Sequence, residues 1–134
     1  MPEFNDWDVP YSVIQFFCRA LGGHDKVASY NRTKDILFTV ALKNGEIIKV
    51  LLVNEYALGL AAVLQARKEF PDAEYSVTGG NWNGYTPEAK DYGRENSIGI
   101  FNVGEFFGAL NWADPKRYHK KDKDGNPVYT YKSA

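Results

Sequence analysis

Apolar side chains recur at Val13, Phe16, Phe17, Ala20 and Leu21, the i, i+3, i+4, i+7, i+8 spacing of one helix face. Pro10-Tyr11-Ser12 opens that segment, Gly22-Gly23 stops it, and Asp8 is the expected cap. After a short run, Val27-Ala28-Ser29-Tyr30, the period changes. Ile36-Leu37-Phe38-Thr39-Val40-Ala41-Leu42 is rich in strand formers on both faces. Lys43-Asn44-Gly45-Glu46 then sets Asn-Gly between two apolar runs, which predicts a hairpin. The return run Ile47-Ile48-Lys49-Val50-Leu51-Leu52-Val53 holds a single charged residue and predicts a central strand buried on both faces.

From Glu55 to Phe70 the pattern turns helical, with Leu58, Ala61, Ala62 and Gln65 on one stripe and Leu60, Val63 and Leu64 widening it. A helix this apolar is expected to be covered on more than one side. Pro71-Asp72 ends it, and Tyr75-Ser76-Val77-Thr78 predicts a short strand leaving through Gly79-Gly80. Thr86-Pro87-Glu88-Ala89 starts another helix, with Thr as cap, Pro at the first helical position and an acid facing the macrodipole. It should run to about Glu95. A strand over Ile98-Gly99-Ile100-Phe101 and a last amphipathic helix from Val103 to Leu110 follow. Strands separated by helices require right-handed crossovers and a parallel portion of sheet, so the fold class is α/β with a mixed sheet flanked by helices.

Length and composition leave that picture standing. At 134 residues, 44% apolar and 15% aromatic, the chain fits one domain with a sizeable core. The expected division is a lead-in over 1–9, one α/β domain over 10–111 and a basic hairpin or arm over 112–134. Apolar runs stop well short of the roughly eighteen residues that suggest a membrane span. Met1-Pro2-Glu3-Phe4-Asn5-Asp6 has neither the basic nor the apolar part of a secretory signal, so a cytoplasmic protein is expected. Cys18 is the single cysteine, which excludes an internal disulfide and a cysteine zinc cage; any metal would need carboxylates. Residues 1–113 carry ten Lys/Arg against fourteen Asp/Glu, and 114–134 carry six against three. The acidic body does not attract phosphates through its overall field, so nucleic-acid binding would need a local patch.

From Glu55 to Leu110, and in the first helix, the chain resembles the Mrr-like restriction endonuclease catalytic domain. The residues that carry the likeness are Ser76-Val77-Thr78-Gly79-Gly80, Tyr85-Thr86-Pro87-Glu88-Ala89, Ile98-Gly99-Ile100-Phe101, Phe106-Phe107-Gly108-Ala109-Leu110 and Leu21-Gly22. The resemblance implies a restriction endonuclease-like αβββαβαβα order. It also implies a magnesium site: an Asp at the start of one strand, and an acid two residues before a Lys on the next. Asp35 stands where the first carboxylate belongs. The acid-x-Lys positions hold Leu51-Leu52-Val53 or, one residue on, Leu52-Val53-Asn54, which cannot bind magnesium. Glu46, Lys49 and Glu55 are the nearest substitutes. Glu46 and Lys49, three apart, point to opposite faces of a regular strand unless a bulge intervenes. The family's acid on the first helix is also missing from Pro10-Tyr11-Ser12-Val13.

Two segments could bind instead. Gly79-Gly80-Asn81-Trp82-Asn83-Gly84-Tyr85 follows a parallel strand and precedes a helix, the usual ligand position in an open α/β sheet. Trp82, Asn83 and Tyr85 there would give aromatic area and amide hydrogen bonds, or the aromatics pack beneath a Gly-rich turn. In the C-terminal segment, Lys116, Arg117, Tyr118, Lys120 and Lys121 could track a nucleic-acid backbone or dock on an acidic protein, or form a solvated tail. His24 and His119 lack partners at ligand spacing. The expectation is a non-catalytic binding module of nuclease fold: a small bacterial or phage accessory or immunity-type protein with a protein or nucleic-acid partner, no cofactor and no membrane role. Two alternatives stay open. One is a magnesium-dependent DNA endonuclease using Asp35, Glu46, Lys49 and Glu55; the other is a nucleic-acid binder that does not cut.

Overall fold

The computed structural model describes residues 7, 9–34, 36–80, 83–112, 115–117, 120–121, 123–128 and 131–132. A first helix, α1 (Tyr11–Gly22), leads into three strands, β1 (Val27–Lys34), β2 (Leu37–Leu42) and β3 (Ile47–Val53). A two-residue strand β4 (Ala57–Leu58) and helix α2 (Leu60–Glu69) follow, then β5 (Tyr75–Thr78), β6 (Gly84–Tyr85), α3 (Pro87–Glu95), β7 (Gly99–Asn102) and α4 (Val103–Ala109). A 3-10 turn (Pro115–Arg117) and the short strands β8 (Lys120–Lys121) and β9 (Pro127–Val128) end the described elements.

The main sheet runs β1-β2-β3-β5-β7. β1, β2 and β3 form an antiparallel meander, and β3, β5 and β7 are parallel, so the sheet is mixed. Gly45, at φ 96°, makes the turn between β2 and β3, the left-handed conformation for which Asn-Gly is suited. β3 lies in the middle and is buried on both faces, with Ile48 and Val50 through Val53 in the core.

Cross-strand partners share a face, which sorts the core into two layers. Phe38, Val50, Tyr75 and Phe101 face α1 and α4, as the ring contacts Phe17–Phe38 at 5.1 Å and Tyr75–Phe106 at 5.6 Å show. On the other face Ile100 meets Gly93 of α3. Among the described residues no helix is long and apolar enough to cross a membrane.

Two helix expectations need correction. α1 buries Ile14, Phe17 and Leu21, while Phe16 is 52% exposed, because the contact stripe against β2 is centred one position from the expected one. Pro10 is its N-cap without a side-chain hydrogen bond, and Asp8 lies outside the described residues. The helix expected from Glu55 begins only at Leu60, because Ala57 and Leu58 pair with Gly84 and Tyr85 in a separate parallel ladder. Within α2 only Val63 and Ala66 are buried, so it lies over the sheet on one side. α3 follows the sequence closely: Thr86 Oγ1 accepts from the Ala89 amide and Pro87 opens the helix.

α3 approaches β7 closely at Gly93. The Ile98 amide donates to the Gly93 carbonyl at 2.8 Å, and a Cβ on Gly93 would lie 2.6 Å from the Ile98 carbonyl oxygen and 2.5 Å from Ile100 Cγ1. In an open helix Gly→Ala stabilises by about 1 kcal/mol, whereas overpacking a core costs about 1–3 kcal/mol. Backbone is the obstacle here, so the second effect wins. Gly93→Ala is expected to destabilise by about 1–2 kcal/mol, read as a lower urea midpoint with unchanged slope; a raised midpoint would mean that α3 can move off the sheet.

Candidate functional site

The three parallel strands end in register, Val53 beside Thr78 and Thr78 beside Asn102. Their carboxyl ends open onto a groove of about 570 Å³ whose lining includes Ser12 and Phe16 of α1, Gly80 after β5, and Asn102 and Val103 at the head of α4. The groove exists because α1 passes directly over Gly79, where a Cβ would stand 2.6 Å from Val13 Cγ1, and because Gly80 turns the chain at φ 101°.

Hydroxyl and amide groups hold the loop beside it. Thr78 Oγ1 donates to the Glu55 carbonyl at 2.6 Å and accepts from the Glu55 amide at 2.9 Å. Asn83 Nδ2 donates to Asn54 Oδ1 at 3.0 Å, to Thr78 Oγ1 at 3.2 Å and to the Gly79 carbonyl. Asn102 Oδ1 accepts from the Glu105 amide at 2.8 Å, and Glu105 Oε1 accepts from the Asn102 amide at 3.2 Å, a reciprocal capping box. This end of the sheet can offer hydrogen bonds and the exposed ring of Phe16 to a ligand.

The substitutes for a nuclease site are not brought together. Glu46 is exposed at the hairpin turn, its amide bonded to Asn44 Oδ1 at 2.9 Å. Lys49, half-buried, has its amide on Glu74 Oε1 at 3.2 Å. Glu55 lies past the far end of β3. Glu46 and Glu55 are nine positions apart along extended chain, about 30 Å, so the two carboxylates cannot share an ion. Asp35 lies outside the described residues. Leu51, Leu52 and Val53 are 0% exposed. Among the described residues no three His, Cys, Asp or Glu side chains group as metal donors.

The expected contact loop also differs. Tyr85 is 0% exposed: its hydroxyl donates to Glu105 Oε2 at 2.9 Å and its ring meets Tyr131 edge-on at 5.7 Å. Pairing of β6 with β4 draws it inward. Asn83 braces the loop from below and does not present its amide outward. Trp82 lies outside the described residues.

In the basic segment, Lys116 Nζ pairs with Glu74 Oε2 at 3.0 Å, so this lysine is held on the body. Lys120 and Lys121 pair with Val128 and Pro127 as an antiparallel ladder, and Arg117 lies in the 3-10 turn; the side chains of these three, and Tyr118 and His119, lie outside the described residues. Further on, the Lys132 amide donates to the Tyr85 carbonyl at 2.9 Å. His24 is structural: its Nδ1 accepts from the Lys26 amide at 3.1 Å, which leaves Nε2 to donate to the Phe107 carbonyl at 2.9 Å.

A buried charged cluster was missed from the sequence. Lys90 of α3 is 3% exposed; its ammonium donates to the Ile100 carbonyl at 2.7 Å and lies 4.2 Å from the Phe101 ring centroid and 5.0 Å from that of Tyr85. Ile100 and Asn102 present their backbone groups on the outer edge of β7, where Lys90 takes the carbonyl and Glu105 the amide. The cluster therefore closes that edge of the sheet. Its trace in the sequence is a lysine sharing a helix face with Ala89 and Gly93. No family model matches the chain, and no match is found among the curated proteins or the solved structures.

Burial lowers the Lys90 ammonium to about 8 from its ordinary 10.5; the Glu105 carboxylate opposes the shift and Arg94 adds to it. The unfolded chain therefore binds more protons between these values, and the fold gains stability as pH rises from about 8 to about 10.5, by roughly 2–3 kcal/mol. Measured against Lys90→Met, which removes this titration and leaves the others, the parent is expected to gain that amount in urea unfolding. A difference that stays flat with pH would mean that the ammonium keeps its water.

Proposed function

We propose that this protein is a binding module on a restriction endonuclease-like fold, without a hydrolytic centre, acting as a small bacterial or phage accessory or immunity-type protein that docks on another macromolecule. What supports the fold reading is the order of the major elements, helix, three-stranded meander, helix, strand, helix, strand, helix, around a mixed sheet.

The observation that carries the functional reading is the complete burial of Leu51, Leu52 and Val53, at the positions where an acid-x-Lys triplet would stand. A carboxylate and an ammonium there would have to enter the core from water, at a cost of several kcal/mol per ion. Hydrocarbon that fills the interior is a packing solution; it leaves no ligand for a divalent cation and no group to activate water. The next residue, Asn54, has its side-chain oxygen engaged by Asn83. A protein partner is favoured over nucleic acid because Lys116, the first basic residue of the C-terminal segment, is paired with Glu74.

Incubated with supercoiled plasmid and magnesium or manganese, the purified protein is expected to leave the DNA intact, and calorimetric titration with manganese is expected to show no saturable heat. Cleavage that Asp35→Ala abolishes would overturn the proposal in favour of a metal-dependent endonuclease.

A further inference from the structure

Asn-Gly occurs twice in the chain, at Asn44-Gly45 between β2 and β3 and at Asn83-Gly84 leading into β6. An asparagine followed by glycine carries its own reaction. The glycine has no Cβ to shield its backbone nitrogen, so that nitrogen can close a succinimide ring on the asparagine side-chain amide. Sequence makes the two pairs equivalent; their surroundings separate them.

At the second pair the leaving group is held. Asn83 Nδ2 donates to Asn54 Oδ1 at 3.0 Å, to Thr78 Oγ1 at 3.2 Å and to the Gly79 carbonyl. The attacking nitrogen is held as well: Gly84 is buried, and its amide donates to the Tyr56 carbonyl at 2.9 Å beside the β4–β6 ladder. At the first pair, Asn44 and Gly45 are exposed. Asn44 Nδ2 has no hydrogen-bond partner among the described residues, whereas its Oδ1 accepts from the Glu46 amide at 2.9 Å. That bond puts a donor on the oxygen that becomes negative when the side-chain carbonyl is attacked. The Gly45 amide donates to the Leu42 carbonyl at 3.0 Å, a single bond at the tip of an exposed turn, and a Cβ on Gly45 would meet nothing within 4 Å. Such a tip opens at lower free energy than a paired, buried strand.

We infer that Asn44 is a site of spontaneous covalent modification, and that hydrogen bonds protect Asn83 from the same reaction. The Gly45 nitrogen gives up its proton to solvent base and attacks Asn44 Cγ. The N–Cγ bond forms, the Cγ–Nδ2 bond breaks, and ammonia leaves with a proton from water. Water then adds to either carbonyl of the succinimide and opens it, giving an aspartyl or isoaspartyl residue. One amide and one water are consumed, one carboxylate and one ammonium are released, and nothing is oxidised or reduced. Asn44 lines a groove of about 200 Å³ with Lys26 and Asn111, and among the described residues the Lys26 ammonium is the one charged side chain in that lining. The product carboxylate therefore turns a cationic groove neutral. The reaction needs no ligand and does not depend on the function proposed above.

The purified full chain is incubated at mildly alkaline pH, folded or in denaturing guanidinium chloride, and peptide mapping by mass spectrometry follows each asparagine over time. In the folded protein Asn44 is expected to convert at least about tenfold faster than Asn83. An acidic shift on isoelectric focusing should accompany it and be absent from Asn44→Gln, whose longer side chain closes its ring far more slowly. In denaturant, where neither site is held, the two rates are expected to converge. An Asn44 that stays intact in the folded protein while converting in denaturant would mean that the turn locks it, and would overturn the inference. So would an Asn83 that converts as fast as Asn44 in the folded protein. A gap that persists in denaturant would assign the difference to sequence and remove the protective role of the hydrogen bonds. Should Asn44→Gln fail to fold, the comparison of the two sites in the parent chain still decides.

Discussion

Everything in this fold is arranged around a strand that can tolerate no water. β3 is hydrogen-bonded along one edge to β2 and along the other to β5, and Ile48 and Val50 through Val53 are buried. A strand with both edges paired and both faces apolar has to be covered twice, which is why α1 and α4 lie on one side of the sheet and α3 on the other. The meander up to β3 is local and antiparallel; the main-sheet strands after it, β5 and β7, return by crossover and are parallel. The switch from one to the other happens at β3, and so do the open ends of the parallel strands and the groove beside α1 and α4.

That constraint makes Leu51, Leu52 and Val53 part of the core. A metal-dependent nuclease needs two polar groups on one face of the corresponding strand. Here the same stretch contributes hydrocarbon to the core, and the remaining candidates, Glu46, Lys49 and Glu55, are spread along the full length of the strand. The choice is coupled: residues that make β3 an effective core strand are residues that cannot bind an ion.

Local chemistry was legible where local interactions decide the structure. Thr86-Pro87-Glu88 marks the start of α3 because its cap and its first turn are contiguous, and Asn44-Gly45 marks the hairpin because the turn itself demands a positive φ. The bounds of β5 are those of the run from Tyr75 to Thr78. Long-range pairing was not legible. β4 is two residues long and acquires its identity from β6, twenty-seven positions away, so Glu55 to Gly59 reads as helix from within. The same pairing buries Tyr85, which an Asn- and Gly-rich context suggests is outside. Phe16 and Lys90 are mirror cases, a phenyl ring outside and an ammonium inside, because helix position relative to the sheet sets burial and sequence periodicity locates that position only to within about one residue.

The sheet edges carry the last step. An unpaired edge strand is a template for association, and proteins manage it by covering, charging or bulging it. At β7 the chain covers the edge with a buried lysine and glutamate, at the cost of desolvating an ammonium. At β1 it uses register shifts between Val27 and Ser29 and between Arg32 and Lys34, which bend the ends of the strand and leave a short regular stretch between them. These two shifts limit the regular stretch of β1 to a few residues. Such bends discourage edge-to-edge aggregation.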